Sequence, residues 1–202
     1  MSTTLILIAI TCAVSFAAMS NAKLLDRLIL WPPAVNRKNE WYRLVSYGLI
    51  HADWMHLLFN MVTLYFFGRV MEGFYNDALG PFGFAIFYVA ALVASILPSY
   101  YTHRTDMRYY SLGASGAVSA VLFAFILFQP WQMIFIFVLP VPAIVYAVAY
   151  VVYSIWSDRR GGDRINHSAH LWGAAFGVAF TLVLEPRVFP LFLSRLASPF
   201  GG

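Results

Sequence analysis

The chain has 202 residues, of which 61% are hydrophobic and 11% charged, with a net charge of +4. Soluble globular domains carry about 25% charged residues, so composition excludes a water-soluble fold and makes the bilayer the main solvent of one compact bundle. The basic residues are scattered over loops between apolar runs, which points to anionic lipid head groups and away from nucleic acid.

A membrane-spanning helix needs about 20 mostly apolar residues. Six segments qualify: 4–21, 54–71, 81–101, 113–129, 142–156 and 169–184. The expected fold is therefore an all-α bundle of six spans in a single domain, 1–202. The first run follows only "MSTT", without the basic stretch of a signal peptide, and is read as a retained span. It contains the only cysteine, Cys12, which is read as a small buried apolar residue. A polar, proline-containing loop with Arg43 near its end leads to span two. Pro81 suits the first turn of span three. Beyond span four, Pro140 and Pro142 break an apolar stretch too long for one span. Residues 131–141 are read as a hydrophobic connection into span five. The loop "SDRRGGDRINHS" precedes span six, which Pro186 and Pro190 close.

Polar groups inside a span are costly, and each is a candidate for function. Span two opens with "HADWMHLLFN", which holds His51, His56 and Asn60; His56 and Asn60 are four apart and share a helix face. Span four opens with "GASG", centred on Ser115, and span six with "HSAHLWGAAFG", which holds His167 and His170. In a six-span bundle, spans two, four and six run in the same direction. Their N-termini lie at one surface, and these polar groups converge there.

The chemistry of that convergence is nucleophilic. A serine hydroxyl needs a base, and histidine titrates in the right range. Ser115 and His170 supply the pair. The oxyanion formed on attack needs preorganised donors. The Asn60 amide, the His56 imidazole and the Ser115 backbone N–H at a helix N-terminus are available. No carboxylate lies in span four or six, so a Ser–His dyad is expected; Asp158 and Asp163 are read as solvated loop residues. Packing readings stand beside these. Small residues are common at membrane helix interfaces, and "GASG" lacks the G-x-S-x-G elbow because position 117 is alanine. Gly173 and Gly177 are read as a close-packing face. His167 is read as a loop residue, with a minor partner of the site as the alternative, and Asp53 as an N-cap. A zinc site is a weaker reading, because the histidine spacings are not H-E-x-x-H and no glutamate stands beside them. No metal and no cofactor is expected.

In this order and spacing, "HADWMHLLFN", "GASG" and "AHLWGAAFG" resemble the rhomboid family of intramembrane serine proteases, and the likeness runs from "EWYR" to span six. The resemblance implies that Ser115 is the nucleophile and His170 the general base, with His56 and Asn60 stabilising the oxyanion and His51 in the same cluster. Gly113 and Gly116 would shape the nucleophile turn, and Gly173 would allow close packing of spans four and six. Arg43 resembles the arginine of the family's Trp-Arg motif, although Tyr42 stands before it. Substrates would be transmembrane segments of other proteins, entering between spans two and five and cut near the membrane surface. Family members often carry an aromatic residue four positions after the nucleophile, stacked beneath the histidine; here that position is Ser119. The alternative is a non-proteolytic rhomboid-like protein that binds and guides membrane helices. Such relatives usually lack the serine and histidine that this chain retains.

The resemblance puts the N-terminus in the cytoplasm and the site outside, in a prokaryotic plasma membrane. Loops on the site face then carry Lys23, Arg27, Arg37, Lys38, Arg43, Arg104, Arg108, Arg159, Arg160 and Arg164, the reverse of the positive-inside rule.

Overall fold

The computed structural model describes residues 2–136, 138–160 and 165–198. Asp163 and Arg164 lie outside the described residues. The chain is mostly helical.

The first apolar run forms α1 (Thr3–Met19). The loop after it, expected to be irregular, folds into three short helices. Asn21 caps α2 (Ala22–Leu28) by accepting from the Lys23 and Leu24 amides. Pro32 and Pro33 start α3 (Pro32–Lys38), where a missing N–H costs nothing, and Asn39 ends it in the left-handed region at φ 57°. The last of the three is α4 (Arg43–Ser46).

Asp53 caps α5 (Trp54–Thr63), its carboxylate accepting from the His56 amide at 2.8 Å. A π-turn over Leu64–Gly68 joins it to α6 (Arg69–Leu79), so the rod continues past residue 71, the expected end of span two. The apolar run stops at Arg69 and Glu72, but helix propensity does not, and α6 still buries Met71 and Tyr75. Next come α7 (Gly83–Thr102) and α8 (Ser115–Phe128). Pro81 lies in the turn before α7 and not in its first turn.

The connection after α8 corrects the purely helical expectation. It is a two-stranded antiparallel hairpin, β1 (Met133–Ile136) and β2 (Leu139–Pro142), with Ile134 opposite Val141. Pro140 and Pro142 are two apart, so both missing donors fall on the outer edge of β2, where a ribbon tolerates them. The hairpin leads into α9 (Ala143–Arg160), which runs on through Ser157–Arg160, past the expected end at 156. Span six starts earlier than expected, as α10 (His167–Leu184). Pro186 is followed not by a closed terminus but by α11 (Val188–Ala197), with Pro190 in its first turn.

By length and composition, α7 and α10 are long and apolar enough to cross a membrane; α1 and α8 are apolar but shorter. The outer faces of α5, the π-turn after it and α9 expose large apolar side chains, among them Trp54, Phe66, Val148 and Val152. On α8, by contrast, every residue from Gly116 to Leu127 is buried, which makes it the central helix. It meets α10 backbone to backbone. A Cβ on Gly173 would collide with the Gly116 carbonyl, and one on Gly177 with the Ala120 carbonyl.

Polar groups gather at two opposite ends of the helices. Glu72, beyond the expected end of span two, caps α1: its carboxylate accepts from the Thr3 and Thr4 amides and from the Ser2 and Thr4 hydroxyls at 2.5–3.0 Å. Partial burial pushes its pKa up, but these donors outweigh that and hold it at about 2. At this same end Tyr75 and Thr181 share a buried hydroxyl contact of 2.7 Å. The heads of α5, α8 and α10 lie at the other end.

Candidate active site

Ser115 is the first residue of α8. Its hydroxyl lies 2.7 Å from Nε2 of His170, one turn into α10. In the tautomer with Nε2 unprotonated, the hydroxyl donates to the imidazole. The first helical hydrogen bond of α8 closes from the Val118 amide to the Ala114 carbonyl, at 3.0 Å. The N–H groups of Ser115, Gly116 and Ala117 thus have no intrahelical partner and face the turn.

That turn is held from the outside. Ser111 and Leu30 exchange both backbone hydrogen bonds, at 3.0 and 3.1 Å. The Gly113 amide donates to the Tyr47 carbonyl at 2.9 Å. The Ala114 amide donates to Nε2 of His51 at 3.3 Å, and His51 Nδ1 lies 3.0 Å from the Ser15 hydroxyl, which bonds the Leu49 carbonyl. With Nε2 accepting, Nδ1 carries the proton and donates to Ser15. His51 is only 1% exposed and acts on the backbone one residue ahead of Ser115.

His56 packs directly on Gly113. A Cβ there would lie 2.6 Å from its Cε1, and Gly113 sits at φ 112°, so both space and backbone conformation demand glycine. His56 also meets His51 edge to face at 4.9 Å. Asn60, 6% exposed, donates from Nδ2 to the His56 carbonyl at 2.9 Å, which leaves a second Nδ2 hydrogen. A Cβ on Gly116 would strike the Ser95 hydroxyl, so Gly116 serves packing against α7 as well as α10.

Arg43 is the expected site residue that lies apart. It is buried in the first long loop, where Nε pairs with Glu40 at 2.6 Å and Nη1 bonds the Asp26 and Ile29 carbonyls at the end of α2. It ties down the loop whose Leu30 pairs with Ser111, ahead of Ser115. His167 is not a loop residue. It opens α10, is 3% exposed, and packs edge-on against His170 and Tyr153. Among the described residues, no group of three or more His, Cys, Asp or Glu is assembled for a metal.

Three supporting residues were not singled out from sequence. Asn166 caps α10 through the Ala169 amide at 3.0 Å, and its Nδ2 reaches Tyr109 at 2.8 Å and Ser111 at 3.2 Å. It joins the start of α10 to the segment that precedes Ser115; its place just before the apolar run is an N-cap signal. Ser15 stood out only as a hydroxyl inside an apolar run. Tyr150 on α9 gave no signal. Its ring lies parallel to that of His170 within 22°, centroids 6.0 Å apart, and its hydroxyl is 2.6 Å from Ser119.

The rhomboid domain profile matches residues 38–187. Over 146 residues the chain is 32% identical to "RHOMBOID-like protein 12, mitochondrial" of Arabidopsis thaliana, which covers 66% of this chain and 44% of that protein. It is 27% identical over 156 residues to "Putative rhomboid protease YdcA" of Bacillus subtilis (strain 168), covering 74% and 73%. It is 30% identical over 151 residues to "Rhomboid protein 1, mitochondrial" of Saccharomyces cerevisiae, covering 72% and 42%. The chain thus spans less than half the length of the plant and yeast relatives. Names that say mitochondrial stand beside a bacterial one, so the comparisons do not support a prokaryotic plasma membrane over an organelle.

Proposed function

Because the chain belongs to the rhomboid family, we propose that it is a six-span intramembrane serine endopeptidase that cleaves transmembrane segments of other proteins with a Ser115–His170 dyad. The observation that carries this reading is the 2.7 Å contact between Ser115 Oγ and His170 Nε2, made across 55 residues of sequence. Such a contact is what nucleophile activation needs.

Ser115 Oγ attacks the scissile carbonyl while His170 Nε2 takes its proton. The free Asn60 Nδ2 hydrogen, His56 and the Ser115 N–H at the positive end of α8 stabilise the oxyanion. His170 then gives the proton to the leaving amine, and water, deprotonated by the same imidazole, releases the acyl-enzyme. The 14 residues of α8 rise about 21 Å, less than the ~30 Å hydrocarbon core. With its other end near one surface, the head of α8 lies below the opposite surface, where a substrate helix would have to unwind to reach it.

Purified protein in detergent or vesicles, given a transmembrane reporter, tests the reading. Ser115→Ala and His170→Ala should each lower cleavage by at least about 10³-fold. Asn60→Ala should cost about 10²-fold, as for the loss of one oxyanion donor. Wild-type cleavage by the Ser115→Ala protein would overturn the assignment. Absence of fluorophosphonate labelling in well-folded wild type would favour the helix-binding alternative.

A further inference from the structure

The family pattern supports the base with a ring on the nucleophile's own helix, and here that position holds Ser119. The geometry points to Tyr150 of α9 as the positioning residue that replaces it, with Ser119 as its anchor; the inference rests on the dyad reading above.

Three observations converge on one ring. Its plane lies within 22° of the His170 imidazole at a 6.0 Å centroid separation, inside the range of an offset stack. Its hydroxyl is held at 2.6 Å by Ser119, one turn along α8 from Ser115. Its flanks are set by Phe123 of α8 at 5.6 Å and by Tyr146 of α9 at 5.6 Å. A tyrosine free to rotate could not orient a neighbour, but one fixed at its tip and on two sides can. His167 meets His170 edge-on at 5.8 Å from another direction, which limits the imidazole to the plane that faces Ser115. Ser119 is thus not a lost support. A small hydroxyl there makes room for a ring from α9 and grips it. The consequence is a division of labour: α10 carries the base, but α9 fixes its angle.

The test uses the full-length protein. Tyr150→Leu keeps bulk and apolarity but removes the flat ring and the hydroxyl; Tyr150→Phe keeps the ring. Labelling of Ser115 by a fluorophosphonate should slow about 10- to 10²-fold in Tyr150→Leu and stay within about threefold of wild type in Tyr150→Phe, since an ångström of misplacement can cost about 10²-fold. Cleavage of the reporter should lose kcat with KM unchanged. A merely structural tyrosine would make the two variants alike or lower thermal stability in step with activity. A second readout is independent of catalysis. The His170 nitrogen resonances, assigned by their loss in His170→Ala, should report one tautomer in wild type and Tyr150→Phe, and averaged tautomers in Tyr150→Leu. If wild type is labelled and Tyr150→Leu neither slows labelling nor averages the resonances, the positioning role is wrong and the protease reading stands. If wild type is never labelled but Tyr150→Leu still averages the resonances, the protease reading fails and the positioning role stands.

Discussion

The two flanks of α8 are built on opposite principles. Against α10 the contact is backbone on backbone, with Gly173 over the Gly116 carbonyl and Gly177 over the Ala120 carbonyl. Against α9 it is side chain on side chain, with Tyr150 reaching across to Ser119 and Phe123. A backbone contact has no rotamers, so it sets where a helix stands to a fraction of an ångström. A side-chain contact can be rebuilt by another side chain. The first is suited to hold His170 at the right distance from Ser115, and the second to set its angle.

The largest effect that would break this comparison belongs to the glycine flank. Gly173→Ala puts a methyl into the Gly116 carbonyl, one turn from His170, and should separate the dyad, lowering reporter cleavage about 10²-fold. Gly177→Ala meets the Ala120 carbonyl just as hard but a turn further away. It should destabilise by about 1–3 kcal/mol in thermal or denaturant unfolding, with a smaller loss of activity. Equal activity losses in the two would mean that glycine packing serves only stability.

Asn166→Ala comes next. It removes the α10 cap and the link to Tyr109 and Ser111, with about 1 kcal/mol of stability lost and cleavage lowered several-fold. Hydrogen exchange should rise in the first turn of α10 and in the segment before Ser115. Smaller again is Ser119→Ala, which removes one hydrogen bond from Tyr150 and should cost about 1 kcal/mol and less than tenfold in activity. Together with Gly173→Ala the two losses should not simply add, since both act on the placement of His170.

The smallest effect on cleavage is expected at the far end. The Glu72 pKa is lowered on folding, so its contribution is fully present above the unfolded value near 4.5 and is lost as pH falls towards about 2. Stability measured between pH 5 and 3 should fall in wild type and much less in Glu72→Gln, while cleavage at neutral pH is the same in both.

Much of the site was legible because its chemistry is written in residue types that a bilayer penalises. Ser115, His170, His56 and Asn60 stand out in apolar runs, and the direction of spans two, four and six places them at one end. Asp53 as a cap and the Gly173/Gly177 face follow from local rules alone. The boundaries were less legible. Hydropathy ends where charges begin, but α6 and α9 continue as helix through charged residues, and α11 forms across a proline read as a stop. The hairpin was hidden because two prolines argue against a strand unless both face the outer edge, which depends on pairing. Arg43 was read from its motif as a supporting residue of the first long loop, and only the structure gave its partners, Glu40 and the Asp26 and Ile29 carbonyls.

The sequence by itself determined the solvent and the family and pointed to the candidate reactive groups, since these depend on composition, order and spacing. Only the tertiary structure decided what holds the reactive groups in place. His51 grips the Ala114 amide, Asn166 joins the head of α10 to the segment before Ser115, and Tyr150 stands beside His170 from a different helix. Each is a contact between distant segments, fixed by how helices lie against one another. A serine at position 119 reads as a missing support along the chain and as an anchor in space, because the ring it serves arrives from α9.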